Sequence, residues 1–150
     1  MRKALLAITL IALATPAFAA DKFAGTWKLN AEKSTGPERM KAAQLVAEDQ
    51  GGDHVVTVSG ENPDGSPSIT KFSVPLKGGS GRIIEGSQLT GVTAQPFTPR
   101  VEDFTFTIGD KPAVHIHSVV SRDGKTMTTT RTVMGGQMQP GTYKDVWERQ

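Results

Sequence analysis

Residues 102–108 read EDFTFTI, and this stretch decides the fold class of the chain. Every second residue from Phe104 to Ile108 is apolar, and the residues between them are polar. Successive side chains of a β-strand point to opposite faces of the sheet, so this alternation gives one apolar and one polar face. The stretch therefore predicts a half-buried strand rather than a helix.

The same alternation, rich in β-branched residues, recurs along the chain after residue 50. Turn signals such as Asp123-Gly124 separate the segments at intervals of about 8–12 residues, which is typical of an all-β domain. No segment is long enough to serve as a crossover helix, so parallel pairing is not expected. The further strand candidates are His54–Ser59, Ser68–Leu76, Val114–Ser121, Thr126–Val133 and Thr142–Arg149.

The stretch from Pro37 to Asp49 is ambiguous. Its alanine-rich centre favours helix by propensity, and Pro37 suits a first helical turn. Alternate apolar residues also occur there, and the glycines at 51 and 52 suggest a hairpin turn into the next strand. We expect a short helical turn near Glu38–Lys41 followed by a strand. The sequence alone does not decide whether residues 42–49 form a strand or a helix.

The first 19 residues have the features of a secretory leader. Arg2 and Lys3 precede an uncharged apolar run from Ala4 to Ala14, which is short for a membrane span. Small residues at Ala17 and Ala19 fit a signal-peptidase site, so we expect cleavage after Ala19. We therefore expect a secreted or periplasmic protein of a Gram-negative-type bacterium, with residues 20–150 as one domain and no membrane anchor.

Charge and cysteine content exclude several classes of function. The chain has 17 basic and 15 acidic residues, and removal of Arg2 and Lys3 leaves 15 of each. A balanced chain without clustered Lys and Arg does not predict nucleic-acid binding. The chain has no cysteine, which excludes both a disulfide framework and a lipid-modified N-terminal cysteine.

Strand parity places a charged pair on inward faces. In 126–133, alternate threonines form a solvated face, so Met127 and Arg131 belong to the face that points inward. In the last strand, an inward Tyr143 and Trp147 carry Asp145 with them. Arg131 either pairs with Asp145 inside the sheet or lies near a rim and reaches water.

The opposite end of the chain, residues 23–30, reads FAGTWKLN. We expect Trp27 to close one end of a barrel, where Arg149 of the last strand would lie over the indole as a cation–π contact. Gly25 would allow close approach of the backbone beside the ring. The alternative is that Trp27 is a core aromatic without a special partner.

These terminal segments resemble a known superfamily. Gly25-Thr26-Trp27-Lys28-Leu29-Asn30 is similar to the G-x-W opening of the calycins, in particular lipocalins and fatty-acid-binding proteins. Asp123-Gly124-Lys125-Thr126-Met127-Thr128 and Val146-Trp147-Glu148-Arg149 extend the resemblance, which is greatest to secreted bacterial lipocalin-like proteins of unassigned function. The resemblance implies an all-β, up-and-down antiparallel β-barrel of about 8–10 strands around a central cavity.

The resemblance also argues against a fatty-acid carrier. Fatty-acid-binding proteins hold the ligand carboxylate with an inward Arg-x-Tyr on the last strand, and the aligned residues here are Asp145 and Trp147. Arg131 matches another inward arginine of that family, but Asp145 would neutralise it. The two-helix lid is reduced at most to residues 37–41.

His115 and His117 share one strand face and are the best candidates for a metal pair. A third ligand would have to come from His54, Glu102 or Asp103. Because the opposite face of that strand is more apolar, we expect both histidines to lie outside in water, and we assign no metal site. Nor is there a cysteine nucleophile or a Gly-x-Ser-x-Gly motif, so we expect no enzyme and no cofactor.

The sequence thus predicts a lipocalin-like binding protein for a small apolar or amphipathic ligand, with no assigned protein partner. The alternative is a barrel with a filled interior that acts through its surface as an inhibitor or assembly partner. Gly25, Trp27 and Arg149 are expected to be structural. The predicted ligand-binding residues are Phe72, Phe104, Phe106, Met127, Arg131, Tyr143, Asp145 and Trp147.

Overall fold

A computed structural model describes residues 22–38, 40–86 and 88–150, which form eleven β-strands and no helix. The predicted leader, residues 1–19, lies outside the described residues. Within the described ranges, no helix is long and apolar enough to cross a bilayer. The strands are β1 Gly25–Leu29, β2 Ala42–Gln50, β3 Asp53–Glu61, β4 Pro67–Pro75, β5 Gly79–Ser80, β6 Arg82–Glu85, β7 Gly91–Ala94, β8 Val101–Ile108, β9 Lys111–Val120, β10 Thr126–Val133 and β11 Gly141–Arg149.

The strands form one antiparallel sheet in which neighbours in sequence are mostly neighbours in space. Its order is β5-β7-β8-β9-β10-β11-β1-β2-β3-β4-β6. The first and last long strands pair side by side, with Trp27 opposite Arg149. The predicted up-and-down antiparallel barrel is therefore confirmed.

The barrel is nearly closed by one kinked strand. β5 pairs with β7 and β6 pairs with β4, and Gly81 between them donates its N–H to the carbonyl of Val92 at 2.8 Å. A Cβ at Gly81 would collide with the carbonyl oxygen of Ser73, so only glycine allows the chain to pass between β4 and β7 here. Because β5 and β6 are two parts of this one strand, the eleven segments amount to about ten, within the predicted 8–10.

The structure corrects the prediction for the ambiguous segment, residues 37–49. Glu38 and Lys41 lie in bends and Met40 has no regular structure, so the described residues of 38–41 do not form the expected helical turn. Lys41 already donates its N–H to the carbonyl of Glu61 at 3.1 Å, so pairing with β3 begins before a helical turn can form. Residues 42–50 are strand β2.

Alternation along β8 and β10 follows the predicted faces, whereas in β11 Val146 is buried on the face opposite Tyr143 and Trp147. Met127 and Val133 are buried, whereas the alternate threonines of β10 are half-buried or exposed. The buried apolar residues divide into two clusters. One lies along the barrel wall, and the other, called here the end plug, fills one end and consists of Phe23, Trp27, Leu29, Ala43, Val120, Met127 and Trp147.

Candidate ligand-binding site

A cavity of about 510 Å³ lies inside the barrel. The end plug closes it at one end. At the other end it is lined by residues of the connections β1–β2, β3–β4, β6–β7 and β10–β11, including the exposed Pro63 and Asp64. This end is called here the mouth. The barrel interior is therefore not filled by side chains, which contradicts the premise of the filled-barrel alternative.

Three phenylalanines form the aromatic wall of the cavity. The rings of Phe104 and Phe106 on β8 each meet the ring of Phe72 on β4 edge to face, with centroids 5.3 and 5.0 Å apart. These contacts join strands on the two sides of the kinked closing strand. Edge-to-face pairs are favourable beyond their burial, so the aromatic wall also stabilises the closure of the barrel.

A row of polar side chains crosses the inner wall on four adjacent strands. The strand register places Glu102 of β8 opposite Ser118 of β9, Ser118 opposite Thr129 of β10, and Thr129 opposite Asp145 of β11. All four line the cavity, and this row is called here the polar belt. The hydroxyls of Ser118 and Thr129 are hydrogen-bonded to each other at 3.0 Å.

Arg131 is paired with the last residue of the polar belt. Its Nε and Nη2 donate to the Asp145 carboxylate at 3.1 and 3.5 Å, and the two side chains are only 14% and 13% exposed. The guanidinium also lies over the ring of Tyr143, 4.5 Å from its centroid. Burial raises the pKa of the Asp145 carboxyl above its ordinary value, although Arg131 acts in the opposite direction. Of the two predicted placements of Arg131, the paired interior one is confirmed.

Trp147 forms part of the floor of the cavity. It is 5% exposed and lies in the cross-strand row directly below the polar belt, beside Leu29 and Met127. Its indole Nε1 is fully buried and has no hydrogen-bond partner among the described residues. An unpaired buried donor costs on the order of 1–3 kcal/mol.

A buried histidine meets the other end of the polar belt. His54 of β3 is completely buried, with Nδ1 2.7 Å from Asp49 Oδ1 and Nε2 3.7 Å from Glu102 Oε2. The ring packs edge-on against Phe97, 5.1 Å between centroids. Charged and polar groups thus continue from the polar belt to the end of β2 and the start of β3, where Asp49 and His54 lie.

The closed end is held by the predicted contact between the chain ends. The Arg149 guanidinium lies 4.1 Å from the centroid of the Trp27 ring, and Trp27 is 0% exposed. The indole Nε1 donates to the Phe23 carbonyl at 2.8 Å. A Cβ at Gly25 would lie 2.6 Å from Arg149 Nη1, so the close approach expected at this glycine is also present.

Six of the eight predicted ligand-binding residues line the cavity. The other two are buried elsewhere: Met127 belongs to the end plug, and Tyr143 packs beneath Arg131 and donates its hydroxyl to the Gln139 carbonyl at 2.8 Å. A ligand-binding role for these residues stays a prediction. Those that line the cavity are Phe72, Phe104, Phe106, Arg131, Asp145 and Trp147.

The sequence interpretation missed three members of the polar belt. From the sequence, Glu102 is a candidate only for a metal site, and Ser118 and Thr129 have no predicted site role. The signal was available, because Glu102 has the same strand parity as Phe104 and Phe106. What parity does not show is that the inward positions of neighbouring strands fall in one row, since that depends on register.

His115 and His117 lie on the outer face, as expected from parity, with side chains 44% and 45% exposed. Both approach Asp103 Oδ1, from His117 Nδ1 at 2.9 Å and from His115 Nε2 at 3.5 Å. Across the part of the chain that the structure describes, no group of three or more His, Cys, Asp and Glu side chains is arranged to hold a metal ion. The two histidines therefore form a surface cluster with Asp103.

No family model matches the chain, and no curated protein matches it. The chain is similar to the solved structures of apocrustacyanin C2 and apocrustacyanin C1, with 12% identity to each and TM-scores of 0.48 and 0.46. Each of these comparisons covers 87% of this chain and 62% of the other, so this chain spans less than two thirds of their length. It is also similar to EF1p2_mFAP2b bound to DFHBI, with 12% identity, a TM-score of 0.47, and 88% and 97% of the two chains covered. These likenesses concern the barrel alone.

Proposed function

We propose that the chain is a secreted or periplasmic lipocalin-like protein that binds one small apolar or amphipathic molecule inside its barrel. The cavity of about 510 Å³ carries this proposal. Protein interiors are close-packed and have few voids larger than a water molecule. A cavity of this size falls within the range of small-molecule sites, about 300–1,000 Å³.

The lining of the cavity supports the same function. Most of its wall is aliphatic or aromatic, and a few polar groups converge at one level, the polar belt. This composition is typical of small-molecule sites, where apolar surface supplies affinity and a few polar groups fix orientation. The closed end plug leaves the mouth as the route of entry.

The proposed location rests on the leader. Residues 1–19 have the charge, apolar core and small residues of a secreted precursor. A barrel without cysteine needs no oxidative folding step and is stabilised by packing and strand pairing.

Native mass spectrometry tests binding and export together. The chain is produced with its leader in a Gram-negative host and purified without detergent from the periplasmic fraction. We expect a polypeptide that begins at Ala20 and carries a noncovalently bound small molecule. Absence of any bound mass, together with no fluorescence change of the apolar dye Nile red, would contradict the binding function. Retention of residues 1–19 on a cytoplasmic product would contradict the location alone.

A further inference from the structure

The connection between β10 and β11, residues 134–140, lies at the mouth and is called here the strap. Four of its residues line the cavity, and they are Gly135, Gly136, Gln137 and Met138. Both ends of the strap are fixed to the barrel wall, because Met134 donates its N–H to the carbonyl of Ala113 at 2.8 Å and Gly141 pairs with Val133. Any movement of the strap is therefore confined to its middle.

The strap reaches across the mouth from one connecting segment to others. On one side, Gln139 donates its N–H to Glu38 Oε2 of the β1–β2 connection at 3.4 Å. On the other, a Cβ at Gly136 would lie 2.9 Å from Ile108 Cδ1 at the end of β8 and 3.8 Å from Gln88 Oε1. Gln88 belongs to the β6–β7 connection, which lies beyond the β8–β9 turn in the order of the sheet. The strap therefore leans inward and narrows the opening.

Met138 fastens the strap to the interior of the barrel. Its side chain is half-buried and packs against the apolar residues of the barrel wall. Its sulfur lies 3.7 Å from Nη1 of Arg131, whose Nε and Nη2 are held by Asp145. Tyr143 lies under the same guanidinium and donates its hydroxyl to the carbonyl of Gln139, the next residue of the strap, at 2.8 Å. The charged pair and the tyrosine thus form a fixed support for the strap.

The attachments of the strap are weaker than the strand pairing of the wall. The hydrogen bond from Tyr143 has an ordinary length, whereas the contacts of 3.7 Å at Met138 and 3.4 Å at Glu38 are long. Segments with few buried apolar contacts and solvent-exposed hydrogen bonds open locally at a small cost in free energy. An open state populated at about 0.1–10% is sufficient to admit a ligand.

The β3–β4 connection, which also lines the mouth, is built differently. Asn62 donates its N–H to the carbonyl of Ser66 at 2.9 Å, and Gly65 donates its N–H to the carbonyl of Asn62 at 3.0 Å. Ser66 donates its N–H and its hydroxyl to Asp64 Oδ1 at 2.9 and 2.6 Å. These bonds hold the shape of the connection from within. The strap takes its position from the wall instead, so release from its support is sufficient to displace it.

We propose that the strap is the gate of the barrel and that Met138 is its latch, which rests on Arg131 in the structure and withdraws when a ligand enters or leaves. This inference rests on the proposed function and adds the step that controls exchange. A methionine that only lined the cavity would change the dissociation rate of a ligand. A latch sets the association rate as well, because entry is limited by the fraction of barrels that are open.

Stopped-flow fluorescence of Nile red measures both rates. M138A removes the latch and is expected to raise the association and dissociation rate constants about tenfold each, as the half-burial of this side chain implies. The matched control is M134A, at an exposed position of the same strap outside the cavity lining, which should exchange the dye as wild type does. A rise in the dissociation rate alone, or equal rates in M138A and M134A, would overturn the inference.

A covalent tether holds the strap down without changing its latch. The chain has no cysteine, so E38C/Q139C carries two thiols at exposed positions that are in contact in the structure. Linking them with a short bismaleimide is expected to slow both rates at least about tenfold relative to the same variant capped with N-ethylmaleimide.

The tethered protein also decides the matter if circular dichroism shows that M138A does not fold. Equal exchange by the linked and capped proteins would place the route of entry elsewhere and overturn the inference. If Nile red binds and exchanges at wild-type rates in every variant, the strap is not a gate and the proposed function stands. If Nile red does not bind the wild-type protein at all, the proposed function itself fails.

Discussion

Replacing Arg149 with methionine is expected to weaken the closed end of the barrel without changing the cavity. Methionine keeps much of the apolar stem but removes the guanidinium over Trp27. It also removes three N–H donors, which bond the carbonyls of Gly124 and Ala24 at 2.7 Å each and the carbonyl of Lys22. These contacts connect the N-terminal segment, the β9–β10 turn and the last strand.

The expected loss follows from these contacts. A partly desolvated cation–π contact contributes about 1 kcal/mol. Hydrogen bonds from a charged group contribute about 1.5–3 kcal/mol each, but Arg149 is half-buried and part of this value is screened by solvent. We therefore expect R149M to lower the free energy of unfolding by about 3 kcal/mol, which corresponds to about 10 °C in Tm for a domain of this size. R149K retains the charge but not the planar fork of donors, and should fall between R149M and wild type.

Thermal and urea unfolding followed by circular dichroism measure this loss. The matched control is R122M, at an exposed turn position, which should stay within about 0.5 kcal/mol of wild type. Nile red affinity of folded R149M should equal that of wild type, because Arg149 does not line the cavity. A stability change in R149M no larger than that in R122M would refute the idea that this residue holds the chain ends together.

Three further predictions concern the same two regions. G25A should cost about 2 kcal/mol, because φ is +131° and its Cβ would contact Arg149, whereas G51A, at φ +60° with no atom within 4 Å, should cost about 1 kcal/mol; equal losses in urea unfolding would contradict the contact. R131M should lose about 3 kcal/mol by leaving Asp145 unpaired, whereas R131M/D145L should lie within about 1 kcal/mol of wild type; equal losses in the two would argue against a coupled pair. Because the folded-state pKa of Asp145 is raised above 3.8, its contribution to stability is present below that pH and lost as pH rises through the folded value. The stability of wild type minus that of D145N should therefore fall as pH rises above 3.8, and a rise would show that Arg131 dominates.

The two-residue periodicity of the sequence predicts the strands and the faces on which their side chains lie. Alternation in 102–108 and in 126–133 predicted strands and their inward faces, and parity brought Arg131 and Asp145 to the same side. The pairing of the chain ends followed from the resemblance to calycins and from barrel closure, and the contact of Trp27 with Arg149 confirms it.

Strand register and loop conformation are harder to predict from the sequence. The polar belt depends on which residues of neighbouring strands are opposite one another, and a shift of one residue would place Ser118 beside a different neighbour. The helical turn expected near 38–41 was wrong because local propensity was outweighed by backbone pairing with β3. The kink at Gly81 has no local signal beyond a glycine-rich stretch, since its cause is the approach of a distant strand.

Titration of Nile red into the protein and two matched variants tests most directly whether the interior is a binding site. Ile116 lines the cavity and Thr130 lies exposed on the outer face of the adjacent strand, so I116W fills the interior and T130W adds the same ring outside. We predict saturable binding of one dye per barrel in wild type and T130W, and at least about tenfold weaker binding in a folded I116W. If I116W is unfolded, V58F replaces it, because Val58 lines the same cavity. Equal dye binding by the filled and unfilled barrels would place the dye outside and contradict the account.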